Sequence, residues 1–233
     1  MRAATWRVKE QVARPDLTAD RTRAVALIPV SRETAARLDR FVAVLLDWQG
    51  RMNLIAASTV PTLWTRHIAD SLQLLAIAPR ARKWADLGSG GGFPGLPIAC
   101  ALADQNLAEV HLIESNKRKA AFLTEAVRVT GAPAVVHTER VADFARRFRG
   151  EFDAVTARAL APLPELLSIA YPLLKSGALG LFPKGQDVEA ELTQAAKCWS
   201  ILASLVPSRT EPKSRVVVIR EAKPKRKQGR SAT

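Results

Sequence analysis

Two carboxylates bracket a run of glycines. Asp86 stands two residues ahead of Gly88 in "DLGSGGGFPGLPIA" (residues 86–99), which holds five glycines and two prolines in fourteen positions, and Glu114 lies 22 residues beyond Gly92. Without Cβ atoms, Gly88, Gly90 and Gly92 let a ligand lie directly on the main chain. Gly90, Gly92 and Gly95 also match G-x-G-x-x-G, the spacing that seats a dinucleotide pyrophosphate at a helix N-terminus. Charge argues for a different ligand. A carboxylate at Asp86 is unhelpful beside a pyrophosphate but would hold a cationic group, such as the methionine end of S-adenosylmethionine. Phe93 stands where an aromatic ring could cover such a cofactor, and Glu114, at a strand end, could accept the ribose hydroxyls of either ligand. S-adenosylmethionine is the expected cofactor; an NAD(P)-dependent oxidoreductase is the rival reading.

Three other stretches carry polar chemistry. "ESNKRKAAFLTEAV" reads as a helix starting at Ser115 with Lys117, Arg118 and Lys119 in its first turn. Cations there oppose the helix dipole, so the run is either a solvated face or a phosphate contact. "LWTRHIADSLQLL" sets Arg66, His67, Asp70 and Ser71 at helical spacings. A hydrolase is excluded, because no G-x-S-x-G elbow is present and three neighbours on one helix cannot converge as nucleophile, base and orienter. A polar network pinning this helix to the main domain is expected, with a direct substrate role as the alternative. "TARALAPLPELL" follows a fourth strand and carries Arg158, with no Asn-Pro-Pro-aromatic motif and no cysteine nucleophile, Cys100 and Cys198 lying elsewhere. Arginine binds a guanine edge or a phosphate but is a poor base. That combination suits an acceptor that is nucleophilic without deprotonation, such as guanine N7.

These residues need a scaffold, and hydrophobic patterning supplies one. Residues 1–30 show no sustained periodicity and are expected to be loosely ordered. Residues 31–80 read as a helical layer. Ser31 caps a helix with Leu38, Phe41, Val42, Leu45 and Trp48 on one stripe, and a second helix is expected from Pro61 to Leu75. From residue 81 to 221 short apolar runs alternate with helical stretches. Strands are expected at "KWADL", "EVHLIE", "AVVHT", "FDAVTAR" and "GALGLFP", then a helix over 187–203 and closing strands near "ILASLV" and "SRVVVIRE". The pattern is α/β, a mostly parallel sheet with helices on both faces. Pro94 and Pro97 place the glycine stretch at the start of a helix.

Of the net charge of +13, residues 207–233 carry +7, from nine basic and two acidic side chains. The end of the chain, residues 222–233, reads as a disordered basic tail or a polyphosphate-binding arm. Two distant cysteines and no membrane-length apolar run lead to the expectation of a cytosolic protein.

The motifs "RHIADS", "WADLGSGGGFPGLPIA", "HLIESNKRKAAFL", "FDAVTARALAPL" and "LFPKG", in this order, resemble the bacterial ribosomal RNA small subunit methyltransferase G family, also called glucose-inhibited division protein B. The resemblance spans about residues 40–220. It implies a class I S-adenosylmethionine-dependent methyltransferase of Rossmann-like fold, with a seven-stranded sheet, that methylates N7 of a guanine in the 530 loop of 16S ribosomal RNA. The family's cofactor contacts fall on Gly88, Phe93, the main chain at Val141 and Ala142, and Arg158. Where the family often reads Arg-Ala-Glu, this chain has Arg140, Val141, Ala142, so only the backbone contact carries over. Ser214 and Arg215 stand where many members place an arginine near the last strand. Lys117, Lys119, Arg140, Lys184 and Arg215 are the expected RNA track, with 16S ribosomal RNA, the small subunit or its precursor as partner. A monomer without metal and without a general base is expected. A non-catalytic ribosome-assembly factor is the further alternative.

Overall fold

The structure, a computed structural model, describes residues 15–225. Residues 1–14 and 226–233, which hold the first part of the expected loose N-terminal segment and most of the expected basic tail, lie outside it.

The helical layer starts earlier than the sequence suggested. Residues Thr18–Leu27 form α1, although only Ala24 on it is buried. Side-chain hydrogen bonds hold it instead of an apolar stripe: Asp20 accepts from the backbone N–H groups of Trp64 and Thr65 and from the Thr65 hydroxyl. Arg21 pairs with Asp39 at 2.7 Å and lies over the Trp64 ring. Next comes α2 (Arg32–Gln49), which begins where the Ser31 hydroxyl accepts the Thr34 N–H at 3.1 Å. Its buried Leu38, Phe41, Val42 and Leu45 recur at the helical period.

The single helix expected over residues 61–75 is divided. A 3-10 turn covers Ala57–Thr62, a π-helical turn covers Trp64–Ala69, and α3 runs from Asp70 to Ile77. Wide π turns interrupt helices most often at functional sites, and this one carries Arg66 and His67.

The sheet follows in the expected alternation: β1 (Lys83–Leu87), α4 (Gly95–Leu102), β2 (Glu109–Ile113), α5 (Lys117–Thr130), β3 (Ala134–His137), α6 (Val141–Arg147), β4 (Ala154–Thr156), α7 (Leu163–Leu174), β5 (Leu179–Lys184), α8 (Val188–Cys198), β6 (Trp199–Pro207) and β7 (Arg215–Pro224). Several boundaries differ from expectation: β4 is shorter than the expected residues 152–158, β5 starts two residues later than expected, and three others shift an element's end. Asn116, not Ser115, caps α5, its side chain accepting from the N–H groups of Arg118 and Lys119. The last helix stops at Cys198, because Trp199 already has extended torsions (φ −126, ψ 140) and opens β6. The final strand runs through Pro224, pairing it with Trp199, so residues 222–224 belong to the sheet and not to a tail.

Strand order is β3-β2-β1-β4-β5-β7-β6, parallel from β3 to β5, with β7 antiparallel to both neighbours. Order reverses between β1 and β4. At such a switch point the loops leaving adjacent strands diverge and open a crevice at their carboxyl ends. One core lies between the sheet and the N-terminal layer, with Phe41, Trp84, Leu96 and Phe122 fully buried; the other lies under α6–α8, around Phe144, Leu167 and Phe182. Each such side chain contributes about 1.5–3 kcal/mol by leaving water. Among the described residues, no helix is long and apolar enough to cross a membrane.

Candidate functional site

The crevice is built from the loops after β1, β2 and β4. Gly88 (φ +69) and Gly90 (φ +55) adopt left-handed torsions that favour glycine. The turn they make lets the Gly90 N–H reach Glu114 Oε2 at 3.0 Å, while Glu114 Oε1 accepts the Asn116 N–H at 2.7 Å. Glu114 therefore joins the glycine loop to the start of α5. It retains lone pairs on the cleft side, where it lines a small cavity of about 240 Å³ with Gly88, Lys119, Glu139 and Val141.

Asp86 closes the floor of this loop from below. Its side chain is fully buried, and Oδ2 accepts the Gly95 N–H at 3.1 Å. Gly95 allows the contact, since a Cβ there would stand 2.7 Å from Oδ2. Among the described residues no donor reaches Oδ1. Burial pushes this carboxyl up to about 7, against the opposing pull of its hydrogen bonds and of Arg158. A buried carboxylate oxygen left without a donor costs free energy that a cationic ligand would recover. The chain's own residues thus fit a ligand with a positively charged amine near the glycine loop.

A larger cavity of about 710 Å³ adjoins the first, lined in part by Arg66, His67, Asp70, Arg158 and Arg215. Ala159 and Leu160 line both and form the common wall. The wall is shaped by force: Ala159 holds φ +53, unusual without glycine, and Leu160 Cδ1 would stand 2.7 Å from a Cβ on Gly88. Glu191 and Lys184 hold it there. Lys184 Nζ donates to the Ala161 carbonyl at 2.7 Å and to Glu191 Oε2 at 2.8 Å, and Glu191 also accepts the Leu163 N–H at 2.6 Å.

Arg158 lies at the inner end of the larger cavity. Its Nη2 meets His67 Nδ1 at 2.6 Å, its Nη1 donates to the Arg66 carbonyl at 3.3 Å and stands 3.6 Å from Asp70 Oδ2, and its Cζ lies 5.1 Å from the Phe93 ring centroid. Asp70 extends this network to the turn between β6 and β7, accepting from Gln73 and from the Thr210 hydroxyl, while Arg66 pairs with Glu211. The polar network foreseen for "RHIADS" is present, and it ties the helical layer to the β4 loop and to the turn before β7.

The expected site residues divide by place. Gly88, Gly90, Glu114, Val141 and Lys119 gather at the smaller cavity, with Asp86 buried beneath the glycine loop and Ala142 next to Val141 in the first turn of α6. Gly92 turns inward against Phe41, and Phe93 packs in the core against Phe41 and His67, so its ring supports Arg158 and does not line the smaller cavity. Lys117 and Arg140 are exposed. Arg215 lines the larger cavity with Nη1 bonded to the carbonyls of Pro212 and Ser214. Lys184, expected on the RNA track, lines the larger cavity with its ammonium bonded to Glu191 and to the Ala161 carbonyl, contacts that also give it a part in holding the wall. Sequence reasoning missed Thr59, Leu160 and Glu191, whose contacts with His67, Gly88 and Lys184 follow no apolar period or motif and so leave no local signal.

A parallel sheet with this strand order, a reversed β7 and a glycine loop over a buried acid defines the class I S-adenosylmethionine-dependent methyltransferase fold. A solved O-methyltransferase from Bacillus cereus, in complex with SAH, has the same fold at 13% identity, with a TM-score of 0.56 over 88% of this chain and 98% of that one. The family described as rRNA small subunit methyltransferase G matches residues 34–217. The ribosomal RNA small subunit methyltransferase G of Bradyrhizobium sp. strain BTAi1 is 58% identical over 208 residues, 89% of this chain and 94% of that protein. Its counterpart from Nitrobacter hamburgensis is 60% identical over 200 residues, 86% and 77% of the two chains. The chain belongs to the rRNA small subunit methyltransferase G family. Membership sets aside the dinucleotide reading of G-x-G-x-x-G.

Proposed function

We propose that this chain methylates N7 of a guanine in the 530 loop of 16S ribosomal RNA, within the small subunit or its precursor, using S-adenosylmethionine. One observation carries the reading: the unpaired oxygen of Asp86 is buried beneath the glycine loop whose Gly88 and Gly90 line the smaller cavity, and that cavity shares a wall with a larger, arginine-lined one whose carboxylates and imidazole, among the described residues, are all engaged. His67, the one imidazole there among the described residues, has both ring nitrogens engaged and is held neutral, burial and the nearby Arg158 and Arg66 pushing it down to about 3. Guanine N7 presents a lone pair and requires no base.

Bound in the smaller cavity, S-adenosylmethionine would supply an electrophilic methyl group. Asp86 would hold its amine, Glu114 its ribose hydroxyls, and the main chain at Val141 and Ala142 would bind at the start of α6. Arg158 would orient the guanine or a neighbouring phosphate across the common wall, by positioning and charge. Lys117, Lys119, Arg140 and Arg215 would bind the RNA backbone, and the base would leave its stack to enter. A ribosomal substrate places the protein in the cytoplasm, where we expect a monomer. Incubation of the protein with methyl-labelled S-adenosylmethionine and unmodified small subunits tests the activity. Label in the 16S RNA is expected. RNA binding with no label would favour a non-catalytic assembly factor and overturn the reading.

A further inference from the structure

Arg158 is held from three sides, and the most informative partner is the uncharged one. Its guanidinium cannot lose a proton at ordinary pH and only donates, so His67 Nδ1, at 2.6 Å, must be the bare nitrogen of the ring. The opposite side of the ring gives the same answer independently. Thr59 Oγ1 stands 2.8 Å from His67 Nε2 and spends its own hydrogen on the Ala56 carbonyl at 2.7 Å, leaving it free to accept from Nε2–H. The chain of donors runs Arg158, His67, Thr59, Ala56, and every member is committed. The imidazole also stacks near Phe93, with ring centroids 4.9 Å apart, and the same Phe93 ring lies under the guanidinium. The charged groups around the ring are Arg66 and Arg158, with Asp70 beyond on the guanidinium's other nitrogen.

We propose that His67, fixed by Thr59 as the neutral Nε2–H tautomer, is the positioning residue of Arg158: it holds the guanidinium at the wall between the two cavities without adding a second counter-charge to that of Asp70. A carboxylate at this place would hold the arginine equally well but would neutralise it, and its attraction for a guanine edge or phosphate would fall. Asp70, 3.6 Å from Nη1, already supplies one counter-charge from the other side of the guanidinium. The π-helical turn supplies the geometry, presenting His67 and Arg66 from a segment that α1 latches through Asp20. The role rests on the methyl-transfer reading, but the tautomer does not.

Two measurements test it. Nitrogen-15 NMR of the histidine-labelled protein, with His67 assigned by its loss in His67→Asn, should show a protonated Nε2 and a bare Nδ1 that do not titrate between about pH 5 and pH 8. A protonated Nδ1, or titration near the ordinary imidazole value, would overturn the proposal. Methyl transfer is then compared in His67→Asn, whose Oδ1 can take the place of Nδ1, and in His67→Leu, which fills the space and accepts nothing. His67→Leu should lose about 10- to 100-fold in kcat with cofactor affinity unchanged, and His67→Asn should stay within about threefold of the parent. Equal losses in the two variants, or none in either, would reduce His67 to packing. If the parent chain transfers no methyl group at all, the functional reading falls while the NMR result still decides the tautomer.

Discussion

At the scale of single residues, a carboxyl that burial holds near neutrality, with one oxygen lacking a donor, is set to respond to a cation. Asp86 rises from 3.8 to about 7 through desolvation. A raised carboxyl favours the free protein while it stays protonated, so this contribution is complete below the unfolded value and is lost as pH rises through about 7. A cationic ligand needs the opposite form. Affinity for S-adenosylhomocysteine, which carries the same amine, should therefore drop by up to about tenfold per pH unit below this value, and Asp86→Asn should bind weakly at every pH without that slope. Calorimetric titration between acid and alkaline conditions checks it; a parent affinity independent of pH would contradict it. Asp86, the glycines and Glu114 were legible in the sequence because their meaning lies in local spacing and charge. Thr59 was not, since a threonine in a short 3-10 turn announces nothing until the fold brings His67 over it.

At the scale of elements, β1 and β2 were readable to within a residue, because a parallel strand buried on both faces writes itself as a short apolar run, whereas β4, expected over residues 152–158, pairs only over Ala154–Thr156. α1 was not readable: it buries little apolar surface and is held by Asp20 and Arg21, which make contacts rather than a pattern. The division of residues 64–77 into π and α segments was equally hidden, because the apolar stripe of Trp64, Ile68 and Leu72 runs across both without a break. Lys184 shows the same limit in one side chain. On β5 it looked like a cation for RNA, yet its partners Glu191 and Ala161 make it a brace for the wall. Lys184→Met should lower stability by about 1–3 kcal/mol in chemical denaturation and slow methyl transfer, while RNA affinity at fixed salt changes little. A loss of RNA affinity with unchanged stability would return Lys184 to the RNA track.

At the scale of the whole molecule, the reversal of strand order between β1 and β4 gathers the loops after β1, β2 and β4 at one end of the sheet, and the helical layer covers that end from the side. The layer closes the site as well as the core: Asp70 and Arg66 cross from it to Arg158, Thr210 and Glu211, so the larger cavity exists only where the layer and the sheet meet. This explains why the fold and the smaller cavity could be foreseen from motifs while the larger cavity could not, its walls being assembled from segments up to about 150 residues apart. The account as a whole stands on the atom that receives the methyl group. Small subunits methylated by the parent protein should, after borohydride reduction and aniline treatment, break at one guanine in the 530 loop, the signature of 7-methylguanosine. Incorporated methyl groups with an uncleaved 530 loop would contradict the N7 assignment.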